Sequence, residues 1–508
     1  MAQDPLAEAE IANLSPASGV DPYLPPPGMV RRVAARGVVI NSAFQVGLGT
    51  LNLLKAMIGA AYLSASDYGI WSILLLAIAM IALLKAVTVS GKYIQQDEED
   101  QEEAFQKAFT LELISTAIML GVALVAAPLL GLVYGRDELV APTLVFALLL
   151  PGLALQAPIW VFHRRMDFLR QRLFLAVDPV VSFVITVALL VAGFDYWALI
   201  VGQVSGSWLG GVVASIASPY KLRLRYDRGT TREYLSFSWP LVIAVLGGLG
   251  IAQISVFVGE VAIGLAAAGA IGFASQISAY TDKIDLVITQ AMYPAICRAR
   301  DRSELLFEAF VKSNRIALMW GVPFGVGLAL FGADLVHFVI GDHFEHAIVL
   351  IQVFGLCAAV NHIGFNWTAF YQALGNNRPL AVVTLVTLIS FLCVCVPLTF
   401  AAGLDGFAAG LGVMTVTALG MRYRYLIRLF PEMRIFHYAL RAIAPTIPAV
   451  LTVAAMRTLE GADRGAEVAV LELVLYLFVT AAATWLFERP LLREALSYVR
   501  PRAAAPAI

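Results

Sequence analysis

The sequence predicts an all-α, polytopic integral membrane protein of about 14 transmembrane helices, arranged as two six-helix lobes followed by two C-terminal helices. Three observations lead there. Of 508 residues, 60% are hydrophobic and 14% charged, with a mean hydropathy of +0.79, whereas soluble domains carry about 45–50% apolar and about 25% charged residues. After residue 36, apolar runs of the ~20 residues that a spanning helix needs follow one another to the end of the chain. Lysine and arginine crowd into alternate connections between those runs. Lipid-exposed backbone must satisfy its own hydrogen bonds, so the runs are helices and not the short alternating strands of a barrel.

Taken in order, residues 1–36 are a disordered cytoplasmic leader. It holds Pro5, Pro16, Pro22 and the run Pro25 to Pro27, with no apolar core of a signal peptide. The first lobe, 37–217, contains spans 1 to 6 at 37–62, 68–90, 108–133, 140–162, 174–193 and 197–217. A cytoplasmic joint at 218–235 carries Lys221-Leu-Arg-Leu-Arg-Tyr-Asp-Arg228. The second lobe, 236–429, contains spans 7 to 12 at 236–257, 266–292, 314–340, 346–371, 380–402 and 407–429. Residues 430–487 hold spans 13 and 14, at 436–456 and 467–487, and 488–508 form a cytoplasmic tail.

Charge tests this order. With the amino terminus inside, 29 of the 35 Lys and Arg fall on inner connections and adjoining helix ends. Only Arg136, Arg457 and Arg464 are outside, and Lys55, Lys85 and Lys283 lie within spans. Shifting one helix would invert the bias downstream, so both termini are expected to be cytoplasmic, in a plasma or inner membrane.

Internal similarity divides the chain in two. Gly193-Phe-Asp-Tyr-Trp-Ala198, opening span 6, returns as Gly403-Leu-Asp-Gly-Phe-Ala408 before span 12, with Gly202 and Gly412 at the same later step. Tyr68-Gly-Ile-Trp-Ser72 has a weaker echo in Ile271-Gly-Phe-Ala-Ser275. An even number of helices per copy leaves both copies in the same orientation. Two like lobes across a cavity suit a transporter.

Other function classes are excluded or unsupported. A net charge of -1 provides no basic field for nucleic acid. Cys297, Cys357, Cys393 and Cys395 lack paired metal or redox spacing and read as packing residues. There is no phosphate loop, His-Glu-x-x-His or Gly-x-Ser-x-Gly, and the outer loops are too short for a catalytic domain, so no enzyme is expected. The acidic loop Asp97 to Glu103 is either a surface for a basic partner or a solvated loop.

Charges and amides inside spans are expensive and mark pathways or pairs. Asn41, Gln45, Asn52 and Lys55 share an arc of about 80° on span 1 at ~100° per residue. They are either a cavity wall meeting sugar hydroxyls and phosphate or interhelical hydrogen-bond glue. Lys85 either joins that wall or snorkels to the headgroups. Gln276, Tyr280, Lys283 and Gln290 form a like stripe on span 8. Asp282 and Asp285 lie on another of its faces, and with Asp178 and Glu112 they are candidates for ion coupling or for structural pairing. Asn361, His362 and Asn366 gather on span 10, where the histidine reads as a packing residue rather than a metal ligand.

Leu63-Ser-Ala-Ser-Asp-Tyr-Gly-Ile-Trp71, Arg164-Arg-Met-Asp-Phe-Leu-Arg170, Asp195-Tyr-Trp-Ala-Leu-Ile-Val-Gly202 and Tyr293-Pro-Ala295 resemble the polysaccharide and oligosaccharide flippases. These are the Wzx-type branch of the multidrug/oligosaccharidyl-lipid/polysaccharide exporter superfamily. The resemblance runs from about residue 33 to the tail. It implies movement of an undecaprenyl-diphosphate-linked or similar saccharide from the inner to the outer leaflet, through a cavity between the lobes. A glycan polymerase or glycosyltransferases of the same pathway would be partners, beside membrane lipids.

Two departures prevent a residue-by-residue transfer of charge coupling. Ala60-Ala61 stands where many members have Ala-Arg, and Gln253-Ile-Ser255 where many have Asn-x-Asp. No cofactor is expected, and the coupling ion, sodium or proton, stays open. The alternatives are a cation-coupled drug or metabolite exporter of the same superfamily, and a saccharide polymerase or transferase. A lysine with three amides on span 1 suits an anionic diphosphate carrier better than a cationic drug.

Overall fold

The apolar runs become helices whose ends are set by capping side chains, glycines and prolines. The computed structural model describes residues 30–83, 89–96, 98–283, 285, 288–289, 292, 296, 302–376, 378–431, 435–460 and 464–499. Every regular element among them is helical. Eight helical segments are long and apolar enough to cross a membrane, and four shorter apolar helices accompany them. The protein is a multi-pass membrane protein.

By packing, the chain forms two compact units. Residues 1–63 and 70–257 make the first, and residues 64–69 and 258–508 the second. This division reflects contacts, whereas the two lobes of the sequence reflect an internal repeat.

In the first unit, α1 is Val30–Tyr62, α2 is Ala65–Leu83 apart from its opening residues 65–69, α3 is Val89–Gln95 and α4 is Gln101–Tyr134. Residues 1–29 of the expected leader lie outside the described residues, and 30–36 are the opening turns of α1 rather than leader. Asp100 caps α4 by accepting from the Glu102 and Glu103 amides, satisfying two of the four open donors of a helix start.

Span 4 is not one helix. It is broken into α5 (Val140–Ala147), α6 (Leu149–Ala154) and α7 (Ile159–Arg164). Pro151 and Pro158 lack the amide proton that a continuous ladder needs. Then come α8 (Phe168–Val191), α9 (Trp197–Ile216) and α10 (Arg228–Ala262). Asp227 starts α10. Hydrogen bonds from the Thr230 amide and hydroxyl hold its carboxyl below the ordinary aspartate range. Val89, Tyr93, Phe105, Phe109 and Tyr234 form one buried cluster of this unit.

The second unit contains α11 (Leu265–Ser278), α12 (Ser303–Leu335), α13 (Ile348–Asn361), α14 (Trp367–Ala373), α15 (Arg378–Ser390) and α16 (Val396–Leu429). It ends in α17 (Ile435–Ile443), α18 (Thr446–Glu460) and α19 (Ala466–Val499). The backbone leaves the helical region at Ala402 and Gly403, within α16. Gly193 and Gly403, the paired glycines of the internal repeat, both take positive φ, 82° and 62°, so each copy turns its chain at the same step. The tail expected from residue 488 is instead a continuation of α19, bent at Glu488 where φ is -116°. Phe310, Leu318, Trp367, Phe370 and Phe430 centre the core of this unit. On α19, Leu477, Phe478 and Leu486 are exposed, as side chains solvated by lipid are.

The short segment Ser64–Gly69 packs in the second unit. Tyr68 is buried against Phe273 and Phe344, and its hydroxyl donates to Gln276 Oε1 at 2.7 Å. A Cβ at Gly269 would stand 2.0 Å from the Ala65 carbonyl oxygen, and one at Gly69 2.2 Å from that of Leu265. Gly269→Leu should therefore cost at least the ~1–3 kcal/mol of an overpacked core, read as a lower unfolding temperature in detergent. An unchanged melt would show that these backbones separate freely.

Candidate functional site

Each unit has its own cluster of charge inside helices. In the first, α1, α8 and α9 meet at Lys55. Its ammonium donates to Ser182 Oγ at 3.0 Å and Gln203 Oε1 at 2.9 Å, using two of three donors. Asp178, one turn before Ser182, is buried, accepts from Gln156 Nε2 at 3.0 Å and acts on Lys55 through its charge. Small residues let α9 come close. A Cβ at Gly206 would lie 2.6 Å from the Asp178 carbonyl oxygen.

Asn41, at the other end of the span 1 stripe, accepts from Arg172 Nε at 2.7 Å. Two members of that stripe are thus tied to α8 and α9. Gln45 and Asn52, between them, are half-buried, and Glu112 is buried on α4. Lys85 lies outside the described residues.

The second cluster forms where two helices are interrupted. Residues 279–282 are a turn after α11, and residues 362–366 a turn between α13 and α14. A helical wheel drawn through span 8 therefore fails past Ser278. Gln276 accepts from Tyr68, Lys283 is exposed with its ammonium 5.7 Å from the Tyr280 ring, and Gln290 lies outside the described residues.

Across the two breaks His362, wholly buried, places Nε2 3.1 Å from the Thr281 carbonyl oxygen and 3.3 Å from Asp285 Oδ2. Its Nδ1 is 2.7 Å from the Ala358 carbonyl oxygen. The ring rests on α12, 2.2 Å from where a Cβ at Gly321 would be, so only glycine leaves room for it. One atom each of Asp282, Asp285 and His362 lie within 4.8 Å of one another, close enough to share a proton or a small cation. Arg422 of α16 donates to the Asn361 and Ile363 carbonyl oxygens and balances both carboxylates. Asn314 Nδ2 donates to the His362 carbonyl oxygen at 2.9 Å, and Asn366 Nδ2 to Ser313 Oγ at 2.6 Å.

Sequence reasoning counted Arg422 among cytoplasmic helix ends and did not single out two further ionic groups of the second unit. In one, Asp334 and the wholly buried Glu472 hold Arg457 and Arg464. In the other, the wholly buried Glu488 pairs with Arg315 and lies 4.0 Å from Arg441. The signal was present, since each is a charge within or beside an apolar run.

Comparisons with known proteins agree with this architecture. The sequence profile of a family described as polysaccharide biosynthesis protein matches residues 60–349. The chain is 21% identical over 340 residues to the succinoglycan biosynthesis transport protein ExoT of Rhizobium meliloti (strain 1021), covering 65% of this chain and 68% of that one. Its fold is similar to the lipid II flippase MurJ in an inward closed conformation, with a TM-score of 0.68 at 12% identity over 89% of this chain and all of that one. It is also similar to an inward-facing multidrug resistance MATE family transporter of the MOP superfamily, with a TM-score of 0.59 at 15% identity over 76% and 98% of the two chains. The proteins it resembles are transporters rather than enzymes.

Proposed function

The chain belongs to the polysaccharide biosynthesis protein family, and from that premise we propose that it is a flippase. It translocates a lipid-linked saccharide of the polyprenyl-diphosphate type from the inner to the outer leaflet of the cytoplasmic membrane by alternating access, for export of a polysaccharide or other cell-surface glycan. Both termini are cytoplasmic in this reading. A glycan polymerase or glycosyltransferases would supply the saccharide-lipid or consume it.

One observation carries the proposal. In the second unit an exposed ammonium, Lys283, stands beside a break in the helices that also holds Asp282, Asp285 and His362. A cation exposed within an apolar span suits the diphosphate of a lipid carrier. The cluster beside it suits a coupling ion, sodium or a proton. The imidazole nitrogens face the Ala358 and Thr281 carbonyl oxygens and the Asp285 carboxyl, so imidazole and carboxyl can hold one proton between them. The carboxylates are also what a cation-coupled exporter of drugs or metabolites would use, and that is the second reading.

Vesicles containing the pure protein distinguish the two. The saccharide-lipid should become accessible to an external reagent without chemical change. Release or transfer of the glycan, or export of cationic dyes with no effect on the lipid, would sink the flippase. Orientation is tested separately, with a single cysteine at position 228 in a cysteine-free background. It should resist an impermeant maleimide in intact cells and react once they are opened.

A further inference from the structure

The connection Ser218 to Asp227 follows α9 and leads into α10 without helical or strand structure of its own. It is nevertheless held in place. The Lys221 amide donates to Glu102 Oε1 at 3.2 Å and its carbonyl oxygen accepts from Gln106 Nε2 at 3.2 Å. The Arg225 amide donates to Thr110 Oγ1 at 2.6 Å, and its guanidinium pairs with Glu103 at 2.9 Å. Tyr220 is clasped by Arg165, whose Nη2 is 3.1 Å from its hydroxyl. From Glu102 to Thr110 a helix rises ~12 Å, and four steps of extended chain cover ~13 Å. Residues 221 to 225 thus run in extended form along the first turns of α4.

An extended chain sends alternate side chains to opposite sides. The side of Arg225 faces the acidic turn of α4. The other side carries Leu222, Leu224 and Tyr226, exposed by 36%, 74% and 62%. Lys221 and Arg223 alternate onto the Arg225 side but are exposed, so their long stems can turn past the backbone and carry the charges to headgroup phosphates beside the apolar row. An apolar row of this kind does nothing for the packing of the unit, and a connection in water would not need it.

Its level is informative. Thr110 lies two residues inside the apolar span expected to start at 108, so the segment reaches the boundary between headgroups and hydrocarbon. Tyrosine and leucine interleaved with lysine and arginine are what that layer accommodates, and anionic lipid adds a pull on the cations.

We propose that Leu222 to Tyr226 is a membrane-surface anchor, in which Leu222, Leu224 and Tyr226 enter the headgroup layer while Lys221 and Arg223 meet the phosphates of anionic lipids. The acidic first turn of α4 keeps Arg225 and the backbone fixed, so that the apolar row faces the bilayer. The anchor holds the start of α10 at the membrane surface.

The experiment uses the full chain with Cys297, Cys357, Cys393 and Cys395 replaced, a single cysteine at 224 or 99, and an environment-sensitive fluorophore. It is reconstituted in nanodiscs of phosphatidylcholine alone or with about a quarter phosphatidylglycerol. Both faces of a nanodisc are open, so the result depends on α4 crossing the bilayer and not on the proposed flippase activity or orientation. The label at 224 should be quenched at least about threefold more by acyl-chain bromine than by aqueous iodide, and the label at 99 the reverse. Adding Lys221→Glu and Arg223→Glu should abolish any gain in lipid quenching that phosphatidylglycerol brings. A label at 224 as open to iodide as one at 99, in both lipids, would overturn the anchor. So would lipid quenching at 224 that is indifferent to both phosphatidylglycerol and the two charge reversals, because the row would then be held by apolar contact alone.

Discussion

Lys283→Ala is expected to lower translocation of the saccharide-lipid by about 10- to 100-fold, the loss of one charge-assisted contact worth ~1.5–3 kcal/mol. Folding should be almost unaffected. The side chain is exposed and its one described contact is with the Tyr280 ring, 5.7 Å from the ammonium, and such an exposed cation–π contact is worth about 0.5–1 kcal/mol. Lys283→Arg should retain part of the activity, since charge persists while geometry changes. The rate of flipping in reconstituted vesicles and the unfolding temperature in detergent separate the two effects. A folded Lys283→Ala protein that flips at the parent rate would remove this residue from the mechanism.

The largest loss of stability is expected at the other ionic groups of the second unit. Glu472→Ala leaves Arg457 and Arg464 on Asp334 alone, and an unbalanced buried charge costs about 3–5 kcal/mol. Glu488→Ala should do the same at Arg315. Glu488 sits at the bend of α19, and Tyr476 of α19 donates to the Pro323 carbonyl oxygen of α12 at 2.8 Å. These contacts fasten α18 and α19, which correspond to most of spans 13 and 14, to α12. Unfolding in detergent should show both losses. The double variant Arg315→Met with Glu488→Met should recover part of the second, because a packed apolar pair needs no desolvation of charge. If Glu472→Ala melts within about 0.5 kcal/mol of the parent, as ordinary surface substitutions do, the ionic group adds nothing to stability and the helices are held by apolar contact.

The pairing in the first unit illustrates how far sequence reasoning reaches. That a lysine, an aspartate and several amides sit inside spans is visible from composition alone. That Lys55 reaches Ser182 and Gln203 depends on which helices adjoin, and those partners are 127 and 148 residues away. The acidic loop is a similar case. Its basic counterpart is this chain's own Arg225, together with Lys107, which bridges Glu98 and Glu103.

What the sequence determined by itself is what is local and additive. Transfer of apolar side chains into lipid sums along a run of residues, so the membrane class, the all-helical backbone and the approximate segment limits follow from windows of ~20 residues. Paired Gly193 and Gly403 could be read as turning points of a repeat for the same reason, because positive φ is a property of one residue. Only the tertiary structure decided where span 8 and span 10 break and which charges meet at the breaks. It also decided that His362, a packing residue by pattern, stands against Asp285. A buried charge selects its partner by distance in space, and hydropathy contains no record of which helix lies across from which.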